Sequence, residues 1–356
     1  MNTRSIVSPL PSEMLEATTT FRHWAGTDTD VISGDDVGQV DFTKPGPFIV
    51  RAYHGTTHGF SAFEAKHHGN PEGAFGCMHY FTSSVDDAEQ NYACEGPDLT
   101  SRIEQATEQL IYSIEEDLEA YGLPDDADSD AIRAKAQSLS YQRLHGDNPR
   151  IIEAYLRFDK PFRVNGQANV RDRTRTPLLL PDVESGYADV EDEVLREHDA
   201  QDLTDDEREE ALETYADEIT ERYDAQRETA YATLEDAFRT AAIALEIEPP
   251  VIPDAIGMDP SDVTQDQFYK ILHEAEETIY IDCPNTGALI VSEFTARVIA
   301  ALGFDAIILF DADCKFERMN IPSGTAHIHI FDEHRNRIKS VTNRGTFCPA
   351  SADIEA

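Results

Sequence analysis

The chain has 356 residues and carries 69 acidic against 29 basic side chains, for a formal net charge of −40. Such a surface repels nucleic-acid phosphates and anionic membranes at long range. Its self-repulsion is relieved when molar salt shortens the screening length to about 3 Å, so the charge describes a protein of a high-salt cytoplasm more than it describes a substrate.

Residues 1–46 read as a polar N-terminal arm without a sustained apolar leader, so a secretory signal is not expected. A short helix is expected from Ser12 through Thr18. Trp24, the single tryptophan, reads as the anchor of this arm, with a lid as the alternative. Phe48 to Tyr53 is a short strand rich in β-formers, with His54 at its end and Gly55 after it. A glycine there lets the backbone approach a flat ligand, because no Cβ stands in the way. Phe60 and Phe63 pin the following link, and Met78 to Thr82 is a second strand that carries Tyr80. Ser83 or Ser84 caps a helix running from Val85 to Tyr92, with Asp86 and Asp87 favourable in its first turn.

From Ser101 to His145 the periodicity predicts two helices broken at Gly122-Leu123-Pro124-Asp125, an αα-hairpin inserted beside the sheet. Ile151 to Phe158 is a strand closed by Lys160-Pro161, and residues 164–182 read as loop. Arg171, Arg173 and Arg175 in that loop suit either dinucleotide phosphates or the acidic helices that follow. Residues 183–246 are acidic and helical, and Thr264 with Gln267 forms a capping box. A short strand is expected at Thr278–Asp282. A helix from Ser292 ends at Gly303, an almost wholly apolar strand follows over Phe304–Phe310, and His327-Ile328-His329-Ile330-Phe331 alternates with period two. The five cysteines form no Cys-x-x-Cys pair, and the histidines lack ligand spacing, so free thiols and no metal are expected.

The order His54-Gly55-Thr56, then Gly76-x-x-x-Tyr80-Phe81, then Asn91-Tyr92, resembles the NAD-binding core of the ADP-ribosyltransferases of the diphtheria-toxin and poly(ADP-ribose) polymerase class, named for a His-Tyr-Glu triad. Tyr155 to Phe162, Gly303-Phe304-Asp305-Ala306-Ile307-Ile308, Phe331-Asp332, Ile338-Lys339-Ser340 and Asn343-Arg344-Gly345-Thr346-Phe347 resemble further elements of the domains of this class carried in large phage and mobile-element proteins. These parts span roughly 48–93, 151–162 and 290–347, less than half of the chain.

The resemblance implies an α+β fold with two small antiparallel sheets around an NAD cleft, formed by residues 47–347 with helical insertions near 101–146 and 183–247, and a C-terminal tail at 348–356. It implies NAD as substrate: Gly55 on the nicotinamide carboxamide, His54 on a ribose hydroxyl, Tyr80 stacked on the nicotinamide, Tyr92 on its other face or beneath it, and Thr56 and Phe81 nearby. Where the family places its catalytic Glu, this chain has His327, and Glu317 in the preceding turn is the candidate replacement carboxylate. The function implied is mono-ADP-ribosyl transfer to a host protein or nucleic acid. The alternatives are an NAD glycohydrolase and a catalytically degenerate, virion-associated structural protein. No membrane partner is expected.

Overall fold

A computed structural model of the chain describes residues 12–26, 29–44, 46–64, 78–93, 97–146, 148–165, 228–229, 232–248, 264–265, 267–269, 272, 287–315, 320–343 and 347–355. The chain forms two compact units, residues 1–171 with 303–356, and residues 172–302.

The first unit is mixed α and β. Its strands are β1 (Val31–Ile32), β2 (Phe48–Thr56), β3 (Met78–Thr82), β4 (Arg150–Phe158), β5 (Pro161–Asn165), β6 (Ala306–Phe310), β7 (His327–Phe331) and β8 (Ile338–Ser340). They join in one sheet of order β5-β6-β7-β3-β2-β4-β8, with β1 added on β2. β5 and β6 run parallel, as do β1 and β2, and the other pairs are antiparallel. Two separate antiparallel sheets were expected, so the single mixed sheet is a correction. The sheet nonetheless has a narrow waist. β2 pairs with β4 from Phe48↔Phe158 to Thr56↔Arg150, whereas β2 and β3 share one registered pair, Tyr53↔Thr82. The halves β5-β6-β7-β3 and β1-β2-β4-β8 therefore stay hydrogen-bonded at one point and part beyond it.

Side-chain alternation makes one face of this sheet the main core. Val50, Ala52, Phe81, Ile152, Ala154, Leu156, Phe158, Ile308, Ile328, Ile330 and Ile338 lie in it. β6 is apolar throughout and sits between β5 and β7, as its sequence predicts for a central strand. β5 was not expected, since the preceding strand was read as closed by Lys160-Pro161 and residues 164–182 as loop. The turn before it is fixed from a distance: the Asp305 carboxylate accepts hydrogen bonds from the backbone N–H of Asp159 (2.7 Å) and Lys160 (2.9 Å), and Arg337 pairs with both Asp305 and Asp159.

The N-terminal arm holds α1 (Ser12–Glu16) and α2 (Thr19–Ala25), the latter capped by the Thr18 hydroxyl. Trp24 is buried with Phe21, Tyr155 and Phe347, so it anchors the arm. Ser84 caps α3 (Val85–Asp87), whose chain continues as a π turn over Ala88–Tyr92. α4 (Pro97–Glu116) and α5 (Ser129–Leu144) form the expected hairpin around Ile114, Ile132 and Ala136, with Gly122 at a φ of +71° in the break. The last residues fold back on the unit. Buried Lys339 donates to the carbonyls of Ser351 (2.8 Å) and Asp353 (3.0 Å), and Ile354 joins the main core.

In the second unit, the helical residues 232–244 and α6 (Gly287–Ala301) contribute Phe238 and Phe294, which meet edge to face; Phe238 also meets Phe268. The Thr264–Gln267 capping box is formed in both directions. After β6 a single helical turn, α7 (Ala312–Lys315), occupies a stretch with no helical pattern in the sequence. The arginines at 171, 173 and 175, the acidic residues 183–227, the strand expected at 278–282, and Cys77, Cys94 and Cys283 lie outside the described residues.

Candidate active site at the waist of the sheet

The waist is where the sequence-predicted residues gather. Beyond Tyr53↔Thr82, the antiparallel register sets His54 against Phe81 and Gly55 against Tyr80, but no ladder joins them. The His54 imidazole stands in for the missing bond: its Nδ1 lies 2.7 Å from the Tyr80 carbonyl oxygen. A carbonyl only accepts, so Nδ1 carries the hydrogen. The ring packs among Phe60, Phe63 and Phe81, with centroids 5.8, 5.0 and 5.5 Å away. Phe81, assigned above to cofactor binding, is buried on the core face, and its position is a correction. Alternation along β3 turns it away from Tyr80, and it packs His54 instead. The Thr56 hydroxyl accepts from the backbone N–H of His58 at 3.1 Å.

Gly55 is required by close packing. A Cβ there would stand 2.2 Å from the Ala88 carbonyl oxygen and 2.7 Å from Tyr92 Cβ. The π turn is thus pressed against the face of β2 at Gly55, and it brings Tyr92 beside Gly55. From His54 to Thr56 the other edge of β2 pairs with β4, and no strand among the described residues is registered on the edge that faces β3. π turns inside helices often mark functional positions. The end of α3 and the turn carry Asp87 and Asn91 inward, where both are fully buried.

Tyr80, Thr82, His327 and His329 share the face of the sheet opposite the core, because β3 and β7 pair Tyr80↔His329 and Thr82↔His327. Tyr80 meets the edge of His329 at 4.6 Å between centroids, and Tyr92 lies 6.2 Å from the His327 ring. His327 Nε2 donates to Asp87 Oδ2 at 2.9 Å, and Asn91 Nδ2 donates to Asp87 Oδ1 at 2.6 Å. Burial of the Asp87 carboxyl favours its neutral form. The hydrogen bond and charge of His327, with hydrogen bonds from Thr82 and Asn91, outweigh that effect and hold it below its ordinary value. The Asn91 Oδ1 is buried and accepts no hydrogen bond among the described residues.

The structure therefore brings Gly55, Tyr80, Tyr92 and His327 to one side of the waist and His54 to the other, joined through the Tyr80 carbonyl. Glu317 lies outside the described residues. Asp87 and Asn91 were missed as site residues. Asp87 reads in sequence as a favourable charge in a helix's first turn, and its four-residue spacing to Asn91 was the signal that places both on one side. A second His–Asp pair lies at the far end of β3. His79 Nε2 meets Asp332 Oδ1 at 3.1 Å, and Arg335 Nη1 donates to Asp332 Oδ2 at 2.5 Å.

The fold and site define an α+β protein with a split sheet and a polar, aromatic-lined waist. No protein-family model, no curated protein and no solved structure matches this chain. No helix among the described residues is long and apolar enough to cross a membrane.

Proposed function

We propose that the first unit binds NAD at the waist and transfers one ADP-ribose unit to a macromolecular acceptor, releasing nicotinamide. The observation that carries this reading is the open β2 edge at Gly55, with Tyr80 from β3 and Tyr92 from the π turn brought to it. A backbone edge suits a carboxamide, which needs one donor and one acceptor. Two tyrosines beside it suit a flat aromatic leaving group. The buried, orphaned Asn91 Oδ1 shows that this region holds hydrogen-bonding capacity beyond its internal contacts. An extended dinucleotide fits a waist better than a closed pocket, because its ends need different surroundings. The nicotinamide end meets the tyrosine side. The adenosine ribose meets the His54 side of the waist, where Nδ1 fixes the ring on the Tyr80 carbonyl.

In this role the chain's residues orient and stabilise. The tyrosines hold the nicotinamide ring, the Gly55 backbone fixes its rotation, and His327 stands where positive charge grows on the ribose. The Asp87–His327 pair favours a second reading, NAD glycohydrolysis, because a histidine held by a carboxylate also activates water. Equilibrium binding of NAD in molar salt tests the site itself. Tyr80→Ala is expected to weaken affinity by about 1–3 kcal/mol, the size of a lost stacking platform. An unchanged affinity in the folded variant removes Tyr80 from the site.

A further inference from the structure

We infer that Asp87 is the positioning residue of this reaction, and that its buried carboxylate supplies through His327 the negative charge that cleavage of the nicotinamide–ribose bond requires. The inference rests on the NAD reading above and extends it to a residue outside the resembled motifs.

The geometry isolates the charge. The Asp87 side chain is 0% exposed, and His327 is 6% exposed. The other groups that bond the carboxylate, Thr82 and Asn91, are neutral donors. Among the described residues, the ionisable side chain paired with Asp87 is His327. With the imidazole neutral the pair carries one negative charge, and with the imidazole protonated it carries none. A histidine at this position without Asp87 would offer only zero or positive charge, both unsuited to a cationic transition state. Among the described residues, His329, 6.4 Å from His327 between centroids, and Tyr92 also face the pair.

The step balances. The C1′–N bond breaks and its electron pair leaves with nicotinamide, cancelling the positive charge on the ring nitrogen. A hydroxyl oxygen of the acceptor, or water, forms the new bond to C1′. Its proton passes to the His327–Asp87 pair, whose carboxylate offsets the charge that results. No oxidant, reductant or metal takes part.

The test uses nicotinamide release and NAD binding in molar salt, on the full chain, for the wild type, Asp87→Asn, and Asp87→Asn combined with His327→Glu. A melting curve is recorded for each protein. Asp87→Asn preserves shape and removes the charge. NAD affinity is expected to stay within about threefold while turnover falls about a hundredfold, the scale of one lost electrostatic stabiliser. The double variant returns the charge at position 327 with a neutral partner beneath it, so turnover is expected within about tenfold of the wild type. A merely structural role for Asp87 predicts no such recovery. Unchanged turnover in Asp87→Asn, or a folded double variant that binds NAD and stays a hundredfold down, overturns the inference and leaves the NAD reading standing. If Asp87→Asn does not fold, the double variant alone decides. Failure of the wild type to bind NAD overturns the underlying reading, and the inference with it.

Discussion

The two histidine–aspartate pairs on β3 and β7 use the same groups to opposite ends. His79 and His327 are both buried, and each presents Nε2 to an aspartate. They differ in what else the carboxylate meets. Asp332 is 26% exposed and is shared with the Arg335 guanidinium, so its charge is cancelled whether or not His79 is protonated. Asp87 is fully buried among neutral donors, so its charge reaches outward only through His327. The first pair is a latch between β3 and the turn after β7. The second is a source of charge at the waist. Residue type alone does not separate them. The third partner does.

Substitutions sharpen this contrast, beginning with the largest effect. His327→Ala leaves the buried Asp87 carboxylate without its imidazole donor, and a loss of about 3–5 kcal/mol is expected in denaturant melts. His79→Ala should lose less, because Arg335 still neutralises a partly exposed Asp332. Equal losses after allowance for the ring's volume would break the comparison. Gly55→Ala acts on one pair only. Its methyl would press on Ala88 and Tyr92 and displace the turn that carries Asp87, at an expected cost of about 1–3 kcal/mol, with the His79–Asp332 contact unaffected. Histidine ring signals recorded by NMR in that variant check this, with His327 shifted and His79 unmoved.

Acid gives the smallest and most discriminating effect. Asp87 has its folded value lowered from the ordinary 3.8, so its stabilisation is complete above that value and is lost as pH falls through the lowered one. The melting difference between wild type and Asp87→Asn should therefore be constant above about pH 5 and shrink below pH 4. Asp332→Asn, at a partly exposed and shared carboxylate, should cost under about 1 kcal/mol at neutral pH. A pH-independent difference for Asp87→Asn would contradict the charged state assigned to it.

Much of the frame was legible in sequence because it rests on period. Alternation marks His327–Phe331 as a strand, the Thr264–Gln267 capping box marks a helix start, and Gly122 and Pro124 mark the break between α4 and α5. Period does not say which strands become neighbours. The parting of β2 from β3 after one registered pair, and the joining of both halves in one sheet, are products of tertiary packing. β5 escaped notice because its partner, β6, lies far along the chain and supplies both the ladder and the Asp305 clamp on its turn. At the site, His54, Gly55, Tyr80 and Tyr92 stood out through the resemblance. Phe81 was misplaced because a motif lists neighbours along a strand, while a sheet sends them to opposite faces. Asp87 stayed hidden in a surface crowded with acid. Nothing local separates a buried aspartate from a solvated one in a chain with 69 acidic residues.

The central claim is that the waist binds NAD and cleaves its nicotinamide–ribose bond. The most direct measurement is nicotinamide release from NAD by the folded chain in molar salt, with and without a cell lysate as a source of acceptor. The account predicts release, with ADP-ribose left on a macromolecule when lysate is present. Release by the protein alone, with free ADP-ribose, selects the hydrolytic form of the same site. No release and no NAD binding by a folded protein, in either condition, contradicts the account.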